Sequence, residues 1–247
     1  MRGILVAAGL PRFGAGDAPT GLLPVHDKAL MDYALEALLA AGIRRILIVA
    51  APADAPSYQA HLGGGEKWGA GFSYLIAPAA APAPFCALAM AIALGGEFVG
   101  RRTVALAAAD RVITGRGLDA QLKDAAQLKK GARVFVCDGA ADAVSATAVD
   151  VAAAANSAAE PPPGLAPGQT HAGLFFYDSS AAAQLLEIAR QSPSSPRLAD
   201  LHRAYQTAGR LRVESLDRAV KVLRVTGPDS LRAAARAVAA ARRESSP

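Results

Sequence analysis

Cysteine is scarce in this sequence: Cys86 and Cys137 are the only two in 247 residues. Two thiols in apolar surroundings support neither a disulfide framework nor a zinc site. They are read as buried thiols of a reducing cytoplasm, the expected location. Aromatic residues make up only 5% and charged residues 19%. A nucleic-acid surface interleaves cations with aromatic platforms. Here Arg44–Arg45, Arg101–Arg102 and the C-terminal Arg232, Arg236, Arg242 and Arg243 have no aromatics among them. The net charge of +5 is therefore assigned to solvated helix ends, and no nucleic-acid partner is expected. No apolar stretch is long and unbroken enough to span a membrane. The apolar run after Arg2 is short and stops before Gly9 and Pro11, which marks a buried strand rather than a signal peptide. His26, His61, His171 and His202 show no metal-ligand spacing. A nucleophile elbow, a Walker loop and a dinucleotide fingerprint are all missing.

What is present is apolar: 52% of the chain, much of it alanine. That supports one large α/β domain with a buried core, or at most two small ones. Continuous apolar runs at Gly3–Ala8, Arg45–Ala50, Phe72–Ile76, Val104–Ala109, Ala132–Cys137 and Gly173–Tyr177 predict strands of a mostly parallel, buried sheet. Leu211–Ser215 and Ala219–Val225 predict two late strands. Helices are predicted at Ala29–Ala41, Ser57–Leu62, Phe85–Leu94, Ala181–Arg190, Leu198–Ala208 and Ser230–Arg243. Ala152–Gly168 reads as an Ala/Pro-rich connection. The strand–loop–helix–strand opening is that of a doubly wound, Rossmann-like domain.

Five segments, in order, carry a resemblance. They are GILVAAG (Gly3–Gly9), the LLP segment through to Pro52 (Leu22–Pro52), EKWGAGFSYLIAP (Glu66–Pro78), THAGLFFYD (Thr170–Asp178) and LADLHRAYQTAGRLRVESL (Leu198–Leu216). Together the chain resembles the glucose-1-phosphate thymidylyltransferases, a family of sugar-1-phosphate nucleotidyltransferases. The resemblance implies a single domain over residues 1–247, with a mixed, mostly parallel sheet and helices on both faces: the nucleotide-diphospho-sugar transferase fold. The family's longer members continue into C-terminal helices that help to form a tetramer. This sequence stops soon after Arg243, so the usual tetramer is not expected and a homodimer stays open.

Such enzymes join two anions, which requires positive charge and a divalent metal. The resemblance implies a Gly-rich phosphate loop, a loop arginine, a lysine before the LLP segment, two Mg²⁺ aspartates and a Glu-Lys-Pro sugar segment. Most are replaced here. The loop reads Ala8-Gly9-Leu10-Pro11-Arg12-Phe13, and Pro11 offers no N–H. Gly9 and Arg12, together with Asp110, are the remaining nucleotide-binding candidates; Arg12 is read either as a phosphate contact or as a plain loop arginine. Thr20 stands for the lysine, and Met90 for a base-reading glutamine. The sugar segment reads Glu160-Pro161-Pro162, leaving Glu160 as a sugar contact or a solvated charge. A second family glutamate aligns with Ser195, and the family's Tyr-Gly pair is absent near Ala143–Val144. Gly173 keeps the glycine of the family's Thr-Gly pair and is the second sugar-binding candidate.

Asp110 ends the fourth strand, where α/β folds place ligand-binding groups, and resembles the first metal carboxylate. The second falls at Arg224. A guanidinium cannot ligate Mg²⁺. Arg224 is therefore expected to take the metal's place and pair with Asp110, as a remnant of a catalytic pair.

These replacements point to a catalytically inactive or strongly impaired homologue with no cofactor. It would bind a nucleotide or nucleotide-sugar ligand, or pair with itself or an active paralogue. The alternative is an active transferase making an NDP-sugar with Mg²⁺, in which Arg12, Arg111 and Arg224 supply the lost cations and Asp17 helps to hold the metal. Different chemistry in the same cleft stays open as a third reading.

Overall fold

The computed structural model describes residues 1–13, 18–78, 84–138, 169–191 and 197–245. The chain enters through β1 (Arg2–Val6) and passes two short strands, β2 (Pro24–Val25) and β3 (Lys28–Ala29), into helix α1 (Leu30–Ala40). Then come β4 (Arg45–Ala50), α2 (Ala55–Leu62), β5 (Gly71–Ile76), α3 (Pro84–Leu94) and α4 (Gly96–Val99). β6 (Val104–Ala108), β7 (Arg111–Gly115), α5 (Leu118–Ala125) and β8 (Ala132–Asp138) follow. The last part holds β9 (Gln169–Tyr177), α6 (Ala181–Gln191), α7 (Leu198–Thr207), β10 (Leu211–Ser215), β11 (Val220–Arg224) and α8 (Pro228–Ser245).

Seven strands form one sheet in the order β10-β8-β9-β6-β1-β4-β5. All run parallel except β9, which is antiparallel to both β6 and β8. β6 is buried along its whole length, as is β1 after Arg2 and β4 after Arg45. Central parallel strands are covered on both faces, which is why these segments read as unbroken apolar runs. Alternate residues of β1 feed opposite layers of the core. Leu5 and Ala7 pack with α1 residues such as Leu35 and Leu38. Ile4 and Val6 pack with Leu88 and Ile92 of α3. The result is a doubly wound α/β architecture with a mixed, largely parallel sheet.

Every predicted strand and helix that falls on described residues has a counterpart. Five strands and α-helices are additional: β2 and β3, α4, α5 and β7. Of these, β7 matters most, because it pairs with β11 in a separate two-stranded antiparallel ribbon. Cys137 is half-buried rather than buried, its thiol 3.8 Å from the Thr170 carbonyl. The Cys86 side chain, Asp17, Glu160, Ser195, the Ala143–Val144 pair and the Ala152–Gly168 connection lie outside the description. No helix among the described residues is long and apolar enough to cross a membrane.

Candidate functional site

β1 lies between β4 and β6, and the chain leaves it in one direction for each. That reversal opens a crevice at the carboxyl ends of β1 and β6, where doubly wound folds hold ligands. Val6 and Ala108 are register partners there, and the Ala109 amide donates to the Val6 carbonyl at 3.0 Å. Asp110 follows at once, 3% exposed, at the turn from β6 into β7.

The β7–β11 ribbon brings the second partner. Arg224 is the register partner of Arg111, so two like charges face each other across the ladder. Such a pair is destabilising by itself. Asp110 sits between them. Its Oδ2 accepts from Arg224 Nε at 3.1 Å and lies 3.6 Å from Arg111 Nη1. Its main-chain carbonyl accepts from the Val225 amide at 2.9 Å, extending the ribbon by one contact. Val112, Leu223 and Val225 pack on Ala234 and Val238 of α8, so the closing helix holds the ribbon in place.

Arg111 is as buried as Asp110, at 3% exposure. Burial pulls its pKa down to about 10, and the Asp110 carboxylate opposes that pull. The guanidinium therefore stays charged at neutral pH. Gly173 makes the space: it lies in β9 beside a register shift and adopts φ +77°. A Cβ there would stand 2.8 Å from Arg111 Cγ, closer than atoms can approach. The arginine stem thus covers the face of Gly173 from which a side chain would project. His171, two residues earlier, lines the same pocket. Burial first, then Arg111 and Arg224, push its ring pKa well below the usual value, so it is neutral. Its position at this wall was not foreseen; the only signal was its closeness to Gly173.

The loop after β1 is tied elsewhere. Gly9 turns it with φ +73°, a left-handed conformation that glycine adopts without strain. Thr20 is buried, and its hydroxyl donates to the Pro11 carbonyl. Arg12 forms an ion pair with Asp54, at the start of α2. Gly9 and Arg12 are absent from the wall of the Asp110 pocket; Leu10 is the loop residue on it. Met90 is half-buried on α3, not in the core, and the α3 residue on the pocket wall is Leu88.

Val6, Ala8, Leu10, Leu88, Ala108, Asp110, Arg111, His171 and Arg224 line this pocket. The space open to a water centre is about 10 Å³, roughly one water.

Mg²⁺ demands near-octahedral oxygen donors. Asp110 is the one carboxylate on the wall, and its Oδ2 is engaged by a guanidinium. Among the described residues, no three His, Cys, Asp or Glu side chains come together as a metal cluster. The donor set around Asp110 does not fit a magnesium site.

The Nucleotidyl transferase family model matches residues 16–238. The chain is 34% identical over 239 residues to the glucose-1-phosphate thymidylyltransferase of Mycolicibacterium smegmatis, covering 94% of this chain and 80% of that one. It is 34% identical over 219 residues to the Neisseria meningitidis enzyme of the same name, covering 87% and 73%. A Bacillus anthracis crystal structure described as a glucose-1-phosphate thymidylyltransferase in complex with a sucrose superposes with a TM-score of 0.75 at 19% identity, covering 98% of this chain and 95% of that chain. A UTP-bound UGPase from Acinetobacter baumannii does so at 0.66 and 15% identity, covering 96% and 92%. With the fold built around its switch-point crevice and the family model spanning most of its length, this chain belongs to the nucleotidyl transferase family, in its sugar-1-phosphate nucleotidyltransferase branch.

Proposed function

We propose that this protein binds a phosphorylated nucleotide or sugar ligand at the crevice but does not turn it over. One observation carries this reading: Arg224 Nε on Asp110 Oδ2 at 3.1 Å. A carboxylate that would bind a metal is bound to a fixed cation instead. Phosphoryl transfer needs positive charge free to bridge the phosphoryl oxygens and neutralise the charge that develops on them. A guanidinium held on a strand does not provide it.

The loop supports the same reading. Thr20 replaces a cation with a hydroxyl turned to the Pro11 carbonyl, and Arg12 is paired with Asp54. Losing one electrostatic stabiliser typically lowers the rate by ~10²–10³. Losing several together leaves no useful turnover.

The test is a panel of nucleoside triphosphates and sugar-1-phosphates with Mg²⁺, read by pyrophosphate release and by thermal shift. The expected result is no pyrophosphate, with ligand-induced shifts that are the same in EDTA. Mg²⁺-dependent pyrophosphate release overturns the proposal in favour of an active transferase with a rebuilt site.

A further inference from the structure

A groove of about 620 Å³ lies at the amino ends of β8 and β10. Both strands run parallel to β6, so this end of the sheet is opposite the crevice. Lys129 and Lys130, from the turn before β8, line the groove together with Arg133, Arg210 and Arg212. No acidic side chain among the described residues is on its wall. Two chain segments far apart in sequence bring the five cations together. Arg133 and Arg212 are register partners on β8 and β10, and the Ala132 amide donates to the Arg210 carbonyl at 2.9 Å.

The arginines have counterions. Arg133 pairs with Asp124 at 2.5 Å and with Glu214 at 3.5 Å. Arg212 meets Glu214 through Nε at 2.9 Å, which leaves both of its Nη groups unused. Arg210 lies 3.6 Å from the buried carboxylate of Asp178 and over the ring of Tyr205. Three carboxylates thus face five cations, and two positive charges are in excess. The excess belongs to Lys129 and Lys130, which are exposed and form no ion pair. Their main-chain N–H groups donate to no protein acceptor either. A helix end does not account for them. They follow the last residue of α5, Ala125, by four and five positions, and a helix dipole's pull fades within the last turn.

Like charges gathered in a concave surface repel one another and attract a multivalent anion. Ammonium groups and guanidinium forks both suit phosphate oxygens. The donors are spread along two neighbouring segments about 4.8 Å apart, so linked phosphates meet more of them than one phosphoryl group does. Leu128 and Leu211 are the large apolar side chains on the wall, and no aromatic ring is there to stack a base.

We propose that this groove is a site for a linear run of phosphates, either an inorganic polyphosphate or the phosphate chain of a nucleotide. Lys129, Lys130 and the Nη groups of Arg212 hold its oxygens, and Arg210 flanks them. None of these residues is at the crevice, so the inference stands apart from the proposed function.

The test is calorimetric titration of the full chain in EDTA, at physiological ionic strength, with tripolyphosphate, orthophosphate and a short polyglutamate. Tripolyphosphate is expected to bind, and orthophosphate to bind at least about tenfold more weakly, because it meets fewer charge-assisted hydrogen bonds. The Lys129→Gln/Lys130→Gln double variant should lose at least about tenfold in tripolyphosphate affinity at unchanged Tm. A nucleoside triphosphate is the second arm. If the double variant weakens it too, the phosphate chain is carried by a nucleotide. If only tripolyphosphate is weakened, the ligand is an inorganic polyphosphate. No tripolyphosphate binding at millimolar concentration, an unchanged affinity in the double variant, or equal affinity for orthophosphate overturns the inference. Polyglutamate binding as tightly as tripolyphosphate also overturns it, in favour of an acidic protein segment. The comparison of the three anions on the unmodified protein needs no variant to fold.

Discussion

Arg224 reaches Asp110 across 114 positions of sequence, and its Nε donates to Oδ2 at 3.1 Å. The same carboxylate lies 3.6 Å from Arg111, the register partner of Arg224. Asp110 thus neutralises part of a repulsion that the ribbon itself creates.

The two ends of this ion pair should not be equivalent. Arg224 is about one-third exposed, so Arg224→Ala leaves Asp110 with Arg111 and with water at the rim. A loss of about 1–3 kcal/mol is expected. Asp110→Ala leaves Arg111 buried beside a second cation and should lose about 3–5 kcal/mol. Urea unfolding of both variants checks the order; a larger loss for Arg224→Ala would contradict it.

Metal response should be separable from fold. The unmodified protein should show no change in Tm with Mg²⁺. Arg224→Asp places a second carboxylate beside Asp110. It should be less stable in EDTA and gain stability as Mg²⁺ rises, by about 2.7 kcal/mol at a hundred times Kd. A Mg²⁺-dependent Tm in the unmodified chain would refute the donor-set argument.

Gly173→Ala tests the packing beneath the site. The new Cβ would meet Arg111 Cγ at 2.8 Å, on a backbone with φ +77°. Strain of about 1–3 kcal/mol is expected. Because the clash also falls on Arg111, the loss in urea unfolding should exceed that of a glycine replaced in open space. Gly42→Ala, also at positive φ but with open space around it, should show backbone strain alone.

Acid should destabilise the fold through His202. Its ring is buried, accepting or donating at 2.7 Å with the Tyr177 hydroxyl. Burial lowers its pKa to about 3 from the ordinary value of 6.5. The unfolded chain therefore binds the extra proton between those two values. Stability is full above pH 6.5 and falls as pH drops toward 3, with a slope approaching about 1.4 kcal/mol per pH unit. His202→Gln should flatten that slope between pH 6 and 4 in urea titrations. An unchanged slope would assign the acid limb to other groups, such as His171, whose pKa is also lowered by burial.

Much of the architecture was legible in the sequence. β4 and β10 match the predicted ranges Arg45–Ala50 and Leu211–Ser215 to the residue. For β4 the reason is local: a strand buried on both faces must be apolar throughout. β7 escaped notice because Arg111 opens it and Thr114-Gly115 closes it, leaving an apolar run of only two residues. Asp110 was found because it ends a clear strand. Arg12 was a candidate phosphate contact by its place after Gly9, yet only the structure shows it paired to Asp54 on another element.

The sequence by itself determined the family and most of the order of strands and helices, and it put Thr20, Pro11 and Arg224 where the resemblance implies a lysine, a loop amide and a carboxylate. These are properties of residue type and local pattern. Tertiary structure alone decided that β11 pairs with β7, that Asp110 lies between two guanidiniums, and that Gly173 gives its space to Arg111. Those facts depend on which distant strands exchange hydrogen bonds. That choice is made by the packing of Val112, Leu223 and Val225 against α8, and it leaves no trace in the spacing of residues along the chain.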